Sequence, residues 1–316
     1  MKKSYIYGKT FIKRILNHER DFTGIVLQPL FDFNEDKNLF MKLSTYFKQF
    51  SNTFQETPLI LNDAIMKGIK MSNLEIPYLQ AENLDISESW LRKVNLPNSN
   101  MPILHAWDTR IDFCDFTESI QIGANYCDAK VNNTIYKKAN LNQIVCDPNT
   151  VFDSCIFTDG YMRGVNLAHV GFYRSILQRL DVNKTDFYFT NLEKADIRGL
   201  RNIKSSRNLH KAFLDGARMG SNEYVEIKRL KDLEDLDLPL VVGKLIPELD
   251  LEMESLVQRL GEDHEPVTFP KKPTSSTYLD DNFSFDEFIF RVAKIPNLES
   301  EVDLDEELRR DIELNF

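Results

Sequence analysis

The chain has 316 residues, 42% hydrophobic and 28% charged, ample apolar material for a packed core, which excludes wholesale disorder. The net charge of −10 is unevenly spread: residues 223–316 hold 25 acids and 11 bases (−14), residues 1–222 hold 24 acids and 28 bases (+4). An acidic C-terminal third argues against general affinity for nucleic acid and suits a solvated tail or a basic partner.

No apolar run is long enough for a transmembrane helix. Lys9, Lys13 and Arg14 fall where a signal peptide would need its apolar stretch. The four cysteines lack C-x-x-C spacing and make neither a disulfide framework nor a zinc site. That usage fits a reducing compartment, so a cytoplasmic location is expected, with the sequons at Asn132, Asn183 and Asn282 unglycosylated.

Residues 1–57 carry no sustained repeat apart from an isolated Arg20-Asp21-Phe22-Thr23-Gly24. Asn34 followed by Glu35 to Phe50 predicts an amphipathic helix, with Leu39, Leu43, Tyr46 and Phe47 on one side.

Residues 58–200 fall into fives. Upstream the phase is marked by Ile69, Leu74, Leu79 and Leu84. From Ser89 the third position of each five is large and apolar, as at Leu91, Leu96, Met101, Ile111, Phe116, Tyr126, Val131, Tyr136 and Leu141. In this phase Val151, Ile156 and Tyr161 continue the series, and a six-residue step from Tyr161 to Leu167 resets it through Phe172, Leu177, Val182, Phe187, Leu192 and Ile197. The first position is small, as at Ser89, Ala124, Ala129, Thr134 and Ala139. A period of five matches neither a helix at 3.6 nor a strand at 2. It matches a chain that turns a corner every five residues with two side chains of each five pointing inward.

Units such as Ala124-Asn125-Tyr126, Ala139-Asn140-Leu141, Thr190-Asn191-Leu192 and Ala195-Asp196-Ile197 resemble the pentapeptide-repeat family. The resemblance implies a mainly β fold, a right-handed quadrilateral β-helix with four repeats per coil, here with helical N- and C-terminal flanks. Coils would stack about 4.8 Å apart. Residues 1–57 then read as an N-terminal cap, since a solenoid end exposes unpaired backbone and an apolar cross-section.

Some positions depart from the pattern. Ala106 and Gln121 stand where a large apolar residue is expected, and Leu104 and Ile144 replace small ones. Asp159 would point inward, and Gly160 and Gly164 flank the six-residue step, so a bulge is expected near 159–166. Cys114 and Cys146 take interior positions, Cys127 and Cys155 outer ones.

Residues 201–260 predict a helical C-terminal cap or dimer element: one helix from Glu223 to about Asp237, another from Pro247 to Gly261. Residues 261–316 form an acidic linker and tail. There Ser284 and Glu287 make a capping box, and Phe283, Phe285, Phe288 and Phe290 give an aromatic amphipathic segment of the helix-in-groove kind.

Catalytic motifs are missing. Gly8-Lys9-Thr10 resembles the end of a phosphate loop, but Lys3 holds its earlier glycine position and no apolar strand precedes it. The five histidines are scattered. No catalytic residue, cofactor or metal is therefore expected, and the chain is expected not to be an enzyme. Sorting outward residues at twenty per coil puts Asp85, Glu88, Asp108, Asp128, Asp147 and Asp186 on one side without a Lys or Arg, with Glu88, Asp108 and Asp128 in one column. The next side carries Arg92, Lys93, Arg110, Lys130, Arg174 and Lys194 against Asp112, Asp153 and Glu193. The candidate partner-binding residues are Asp85, Glu88, Asp108, Asp128 and Asp147 on the wall, with Phe285, Phe288 and Phe290 in the tail. The leading expectation is a protein-interaction scaffold, with no direct nucleic-acid or membrane contact and room for a homodimer. The alternative comes from the resemblance: some pentapeptide-repeat proteins occupy the DNA-binding saddle of type II topoisomerases, and an acidic column suits such a DNA mimic.

Overall fold

The computed structural model describes residues 4–233 and 244–245. The backbone φ is positive at every fifth residue from Asp63 to Gln143, and again from Ser154 to Gly199, at 49–70°. This left-handed conformation disfavours most side chains and suits Gly, Asn and Asp, which recur there as Asp63, Gly68, Asn73 and Asn83. Each such residue swings the chain round a corner, so extended segments stay short.

The corners bring the chain back over itself. Residues twenty apart pair in parallel along four ladders, for example Gln80↔Asn100, Asp85↔His105 and Asp115↔Ile135, with Arg110↔Lys130 on the third. In chain order the named elements begin with β1 (Ser4–Ile6), α1 (Gly8–Leu16), β2 (Ile25–Leu27) and α2 (Lys37–Gln49). Next come β3 (Lys70–Glu75), β4 (Trp90–Asn95), β5 (Arg110–Asp112), β6 (Lys130–Asn132) and β7 (Val151–Asp153), side by side in one parallel sheet on the third ladder. Last are β8 (Arg218–Met219), α3 (Ser221–Leu233) and β9 (Lys244–Leu245).

Stacking fills the interior. Tyr136 lies between Phe116 and Phe157 with centroids 5.2 Å from each, and Phe152 stacks on Phe172, also at 5.2 Å. Each ring buries a large apolar area in an offset stack. Gln121 is an inward polar residue with partners. Its amide donates to Ser119 Oγ at 3.0 Å and its carbonyl accepts from the Tyr126 hydroxyl, which lies 3.3 Å from that of Tyr136. A buried polar group is tolerated when hydrogen-bonded in this way.

The ladders run past both ends of the sequence repeat. Asp21↔Ile60, Val26↔Ile65 and Asp32↔Lys70 pair in parallel, so Arg20 to Gly24 opens a first coil, and α2 is an insertion within it. Asp36 caps α2 by accepting from the Leu39 amide at 3.1 Å. β1 adds to β2, and α1 buries Phe11, Ile12 and Ile15, with the Phe11 ring 4.7 Å from Phe22 and 6.2 Å from Phe33. α1 thus lays its apolar face on the rings of this first coil. Gly8 begins α1 because a Cβ there would fall 2.2 Å from the Phe31 ring. At the other end Asp181↔Arg201, Asp186↔Arg207, Asn191↔Phe213 and Asp196↔Arg218 continue the ladders through a last coil, against which α3 packs with Ile227 buried. The helix expected from Glu223 is α3. The expected helix from Pro247 to Gly261, and the tail 261–316, lie outside the described residues.

One phase change sits elsewhere than expected. Lys130↔Val151 and Val131↔Phe152 pair with an extra residue between coils, so the six-residue step runs from Cys146 to Phe152. Asp147 to Thr150 make the bulge, and residues 159–166 follow the regular ladder. Phe152, Phe157 and Met162 point inward, fully buried, in place of Val151, Ile156 and Tyr161. Asp159 therefore faces outward at a corner, where its carboxylate takes 2.7 and 2.9 Å bonds from Arg179. The shift also moves Cys155 inside. Cys127 is buried as well, beneath the bulge, and Cys146 is half-buried.

Candidate partner-binding edge

The second and third ladders meet along one edge, whose corner position passes through Gly68, Glu88, Asp108 and Asp128, then the bulge, then His169 and Phe189. Glu88, Asp108 and Asp128 share this position at φ 61°, 50° and 59° and stack one coil apart, in the column expected from sequence. Like charges about 5 Å apart repel only modestly in water.

The carboxylates differ in what holds them. Asp85 faces Lys67 Nζ at 3.2 Å and accepts from the Ser87 amide at 3.0 Å, so this side does carry a lysine, one coil below the residues first sorted onto it. Asp128 accepts from the Trp107 indole at 3.1 Å and the Asn149 side chain at 2.9 Å. Asp147 is the anchor of the bulge: its Oδ1 accepts from the Asp128 and Asn149 amides at 2.9 and 3.2 Å and from the Thr150 hydroxyl at 2.7 Å. Asp186 faces Arg207 at 3.8 Å. Glu88 and Asp108 are exposed and enter no ion pair among the described residues. Of the five wall candidates, then, two project to solvent and three hold the edge in shape. Phe285, Phe288 and Phe290 lie outside the described residues.

The neighbouring wall is less basic than a tally of charges implies. Asp112 accepts from Arg110 Nε at 2.6 Å, the Trp90 indole at 3.0 Å and Asn132 at 2.9 Å, and the Arg110 guanidinium sits 5.6 Å from the Trp90 ring. Trp90 and Trp107 are partly exposed, on either side of the Asp108 corner.

Nothing here favours nucleophilic chemistry. Burial pushes the Cys114 thiol up to about 12, and burial, with Asp147 and Asp128 nearby, does the same to Cys127. At neutral pH both stay protonated and unreactive. No three metal-ligating side chains cluster among the described residues, and no helix among them is long and apolar enough to cross a membrane. Sequence sorting by charge missed a second feature of the same edge, the exposed rings of Tyr188, Phe189 and Phe213. The signal available was an aromatic at Phe189, where the five-residue frame places a corner.

No family model and no curated protein matches the sequence. Solved structures similar to the chain include pentapeptide-repeat proteins. HetL, involved in heterocyst differentiation regulation in the cyanobacterium Nostoc, shares 16% identity over 68% of this chain and 97% of its own, with a TM-score of 0.30. Full-length QnrB1, a plasmid-mediated fluoroquinolone resistance protein, shares 13% over 54% and 89%, with a TM-score of 0.31. Rfr23 from the cyanobacterium Cyanothece shares 12% over 53% and 98%, with a TM-score of 0.22. At these scores the likeness carries no functional argument, and the fold rests on the ladders of this chain itself.

Proposed function

We propose that the chain is a non-enzymatic interaction scaffold, a right-handed four-sided β-helix that engages a cytoplasmic protein partner along the edge between its second and third ladders and through its acidic C-terminal third. One observation carries the reading: a single straight edge keeps Glu88 and Asp108 in register and solvent-facing, while Asp85, Asp128 and Asp147 are tied into the backbone and side chains that shape it. A rigid edge bearing two exposed carboxylates between Trp90 and Trp107 gives a partner fixed polar and aromatic points to meet.

A DNA mimic is the less favoured reading. Displacing a duplex competitively requires several carboxylates standing in for phosphates. Among the described residues of this edge, the wall candidates Asp85, Asp128 and Asp147 are already held by neighbours, which leaves the exposed Glu88 and Asp108.

The test is photo-crosslinking in cells. Benzoylphenylalanine at position 108 is expected to trap one protein identifiable by mass spectrometry. The same group at position 138, on a different edge, is expected to trap none. Equal trapping at both positions, or trapping at neither, contradicts the proposal.

A further inference from the structure

The upper coils present rings where the rest of the edge presents polar groups. Phe189 holds the corner at φ 51°, Tyr188 precedes it, and Phe213 stands on the third ladder opposite Asn191. They are 37%, 39% and 45% exposed. Centroids lie 4.5 Å apart for Tyr188 and Phe189 and 5.7 Å for Phe189 and Phe213, and His169, one coil below, stacks on Phe189 at 5.6 Å. The left-handed corner disfavours a Phe, and although Tyr78, Ile103 and Phe113 hold corners on other edges, the corners of this edge before the bulge are Gly68, Glu88, Asp108 and Asp128. Local folding therefore does not ask for this ring, and strain kept at an exposed residue points to use. On the wall beside it Gly171 shows no side chain, although a Cβ there would make only ordinary contact with Val151 at 3.5 Å. The wall next to the rings is left shallow.

Charge selects the occupant. Lys211 Nζ lies 5.7 Å from the Tyr188 ring. At the far corner of the same wall the Arg174 guanidinium sits 4.8 Å from the Tyr173 ring, and Lys194 Nζ is 2.8 Å from the Tyr173 hydroxyl. With Arg207, which lies 3.8 Å from Asp186, these coils carry four cations to the three carboxylates of Asp186, Glu193 and Asp215, a surplus of one. A nucleic-acid strand on aromatic platforms needs a basic groove that neutralises several phosphates, and this surface does not supply it. Stacked rings with cations at the margin suit a segment offering aromatic side chains and one or two carboxylates.

We propose that His169, Tyr188, Phe189 and Phe213 form a docking site for an acidic, aromatic-bearing peptide segment of a partner protein. The proposal rests on the scaffold reading but uses the coils beyond the bulge, so crosslinking at position 108 and the experiment below fail independently. The sequence DNFSFDEFIF, residues 281–290 of this chain, has the required composition and serves as the probe.

A fluorescein-labelled synthetic copy is titrated, with anisotropy as readout, into the full-length protein and into full-length protein carrying Phe285→Ala, Phe288→Ala and Phe290→Ala, which removes any competing copy. Saturable binding to the triple variant is expected, weakened by at least about tenfold when Phe189→Asn or Phe213→Ser is added. Phe189→Asn is expected to leave the melting temperature unchanged or higher, because Asn suits the left-handed corner; Phe213→Ser gives an independent reading should that variant fold poorly. Binding indifferent to both ring substitutions, equal affinity for a poly-dT oligonucleotide, or no binding to either protein overturns the proposal.

Discussion

The edge between the second and third ladders carries two chemistries on one backbone. Before the bulge its corners are Glu88, Asp108 and Asp128; beyond it they are His169 and Phe189, with Phe213 alongside. The φ values are indistinguishable across the two halves, 50–61° and 51–63°. The coil fixes where a corner side chain stands, and the residue type alone decides what it offers. A fold of this kind can therefore vary its surface without disturbing its core, and each half can be tested apart from the other.

The largest effects should come from the shared interior, where the two halves must behave alike. Tyr126→Asp below the bulge and Phe172→Asp above it each put a charge into a packed stack, and each is expected to abolish soluble expression, at a cost of about 4 kcal/mol or more. Tolerance of either, judged by circular dichroism and yield, breaks the picture of one continuous core. Gly8→Ala drives a methyl into the Phe31 ring and should lower stability by roughly 2 kcal/mol in denaturant titration. An unchanged midpoint would mean that α1 does not pack on the first coil as described.

The next effect separates the halves. Glu88→Gln with Asp108→Asn removes two exposed charges while keeping shape. It should leave the fold intact and weaken binding of the purified partner identified by the crosslinking, most visibly at low salt. The anisotropy titration of DNFSFDEFIF should not respond to it. If the peptide titration shifts as well, the two halves are one site.

The aromatic half should carry a pH signature that the acidic half lacks. Burial against the neighbouring rings holds His169 below its ordinary value, so the folded state binds that proton less readily than the unfolded chain. Stability from this group is complete above the usual histidine range and declines as pH falls through it. Burial raises Asp153 and Glu223 instead; those carboxylates contribute the opposite slope, losing stability as pH rises through their raised values. The measurement is therefore the difference between wild type and His169→Asn, melted from pH 7.5 to 5.5, with wild type expected to lose more on acidification. The smallest effect belongs to Glu118→Gln, on another edge: its 2.8 Å pair with Lys138 is exposed, so the melting temperature should barely move.

Much of this was legible in the sequence, for a physical reason. Two inward residues in every five leave a mark that needs no knowledge of the partner coil, so Leu91 to Leu141 read correctly. The phase change hid because both candidate columns are apolar: Val151, Ile156 and Tyr161 fit the pattern as Phe152, Phe157 and Met162 do, and pairing with the coil below distinguishes them. The first coil hid because α2 separates it from the next, leaving Phe22 and Leu27, five apart, and Phe33, six further on, too few to stand out as a repeat. On the edge, spacing placed Glu88, Asp108 and Asp128 in their column, but it could not show that Asp147 is spent inside its own bulge or that Lys67 reaches Asp85. Those depend on side chains meeting across coils.

The account depends most on the single extra residue between Cys146 and Phe152, which sets the frame of every coil above it and divides the edge. The direct test is a matched pair, Val151→Asp and Phe152→Asp, expressed and melted side by side. With the bulge at Asp147 to Thr150, Val151→Asp should fold and melt close to wild type, while Phe152→Asp should fail to yield folded protein. Failure at Val151 with tolerance at Phe152 would contradict the account and return the phase change to the step between Tyr161 and Leu167.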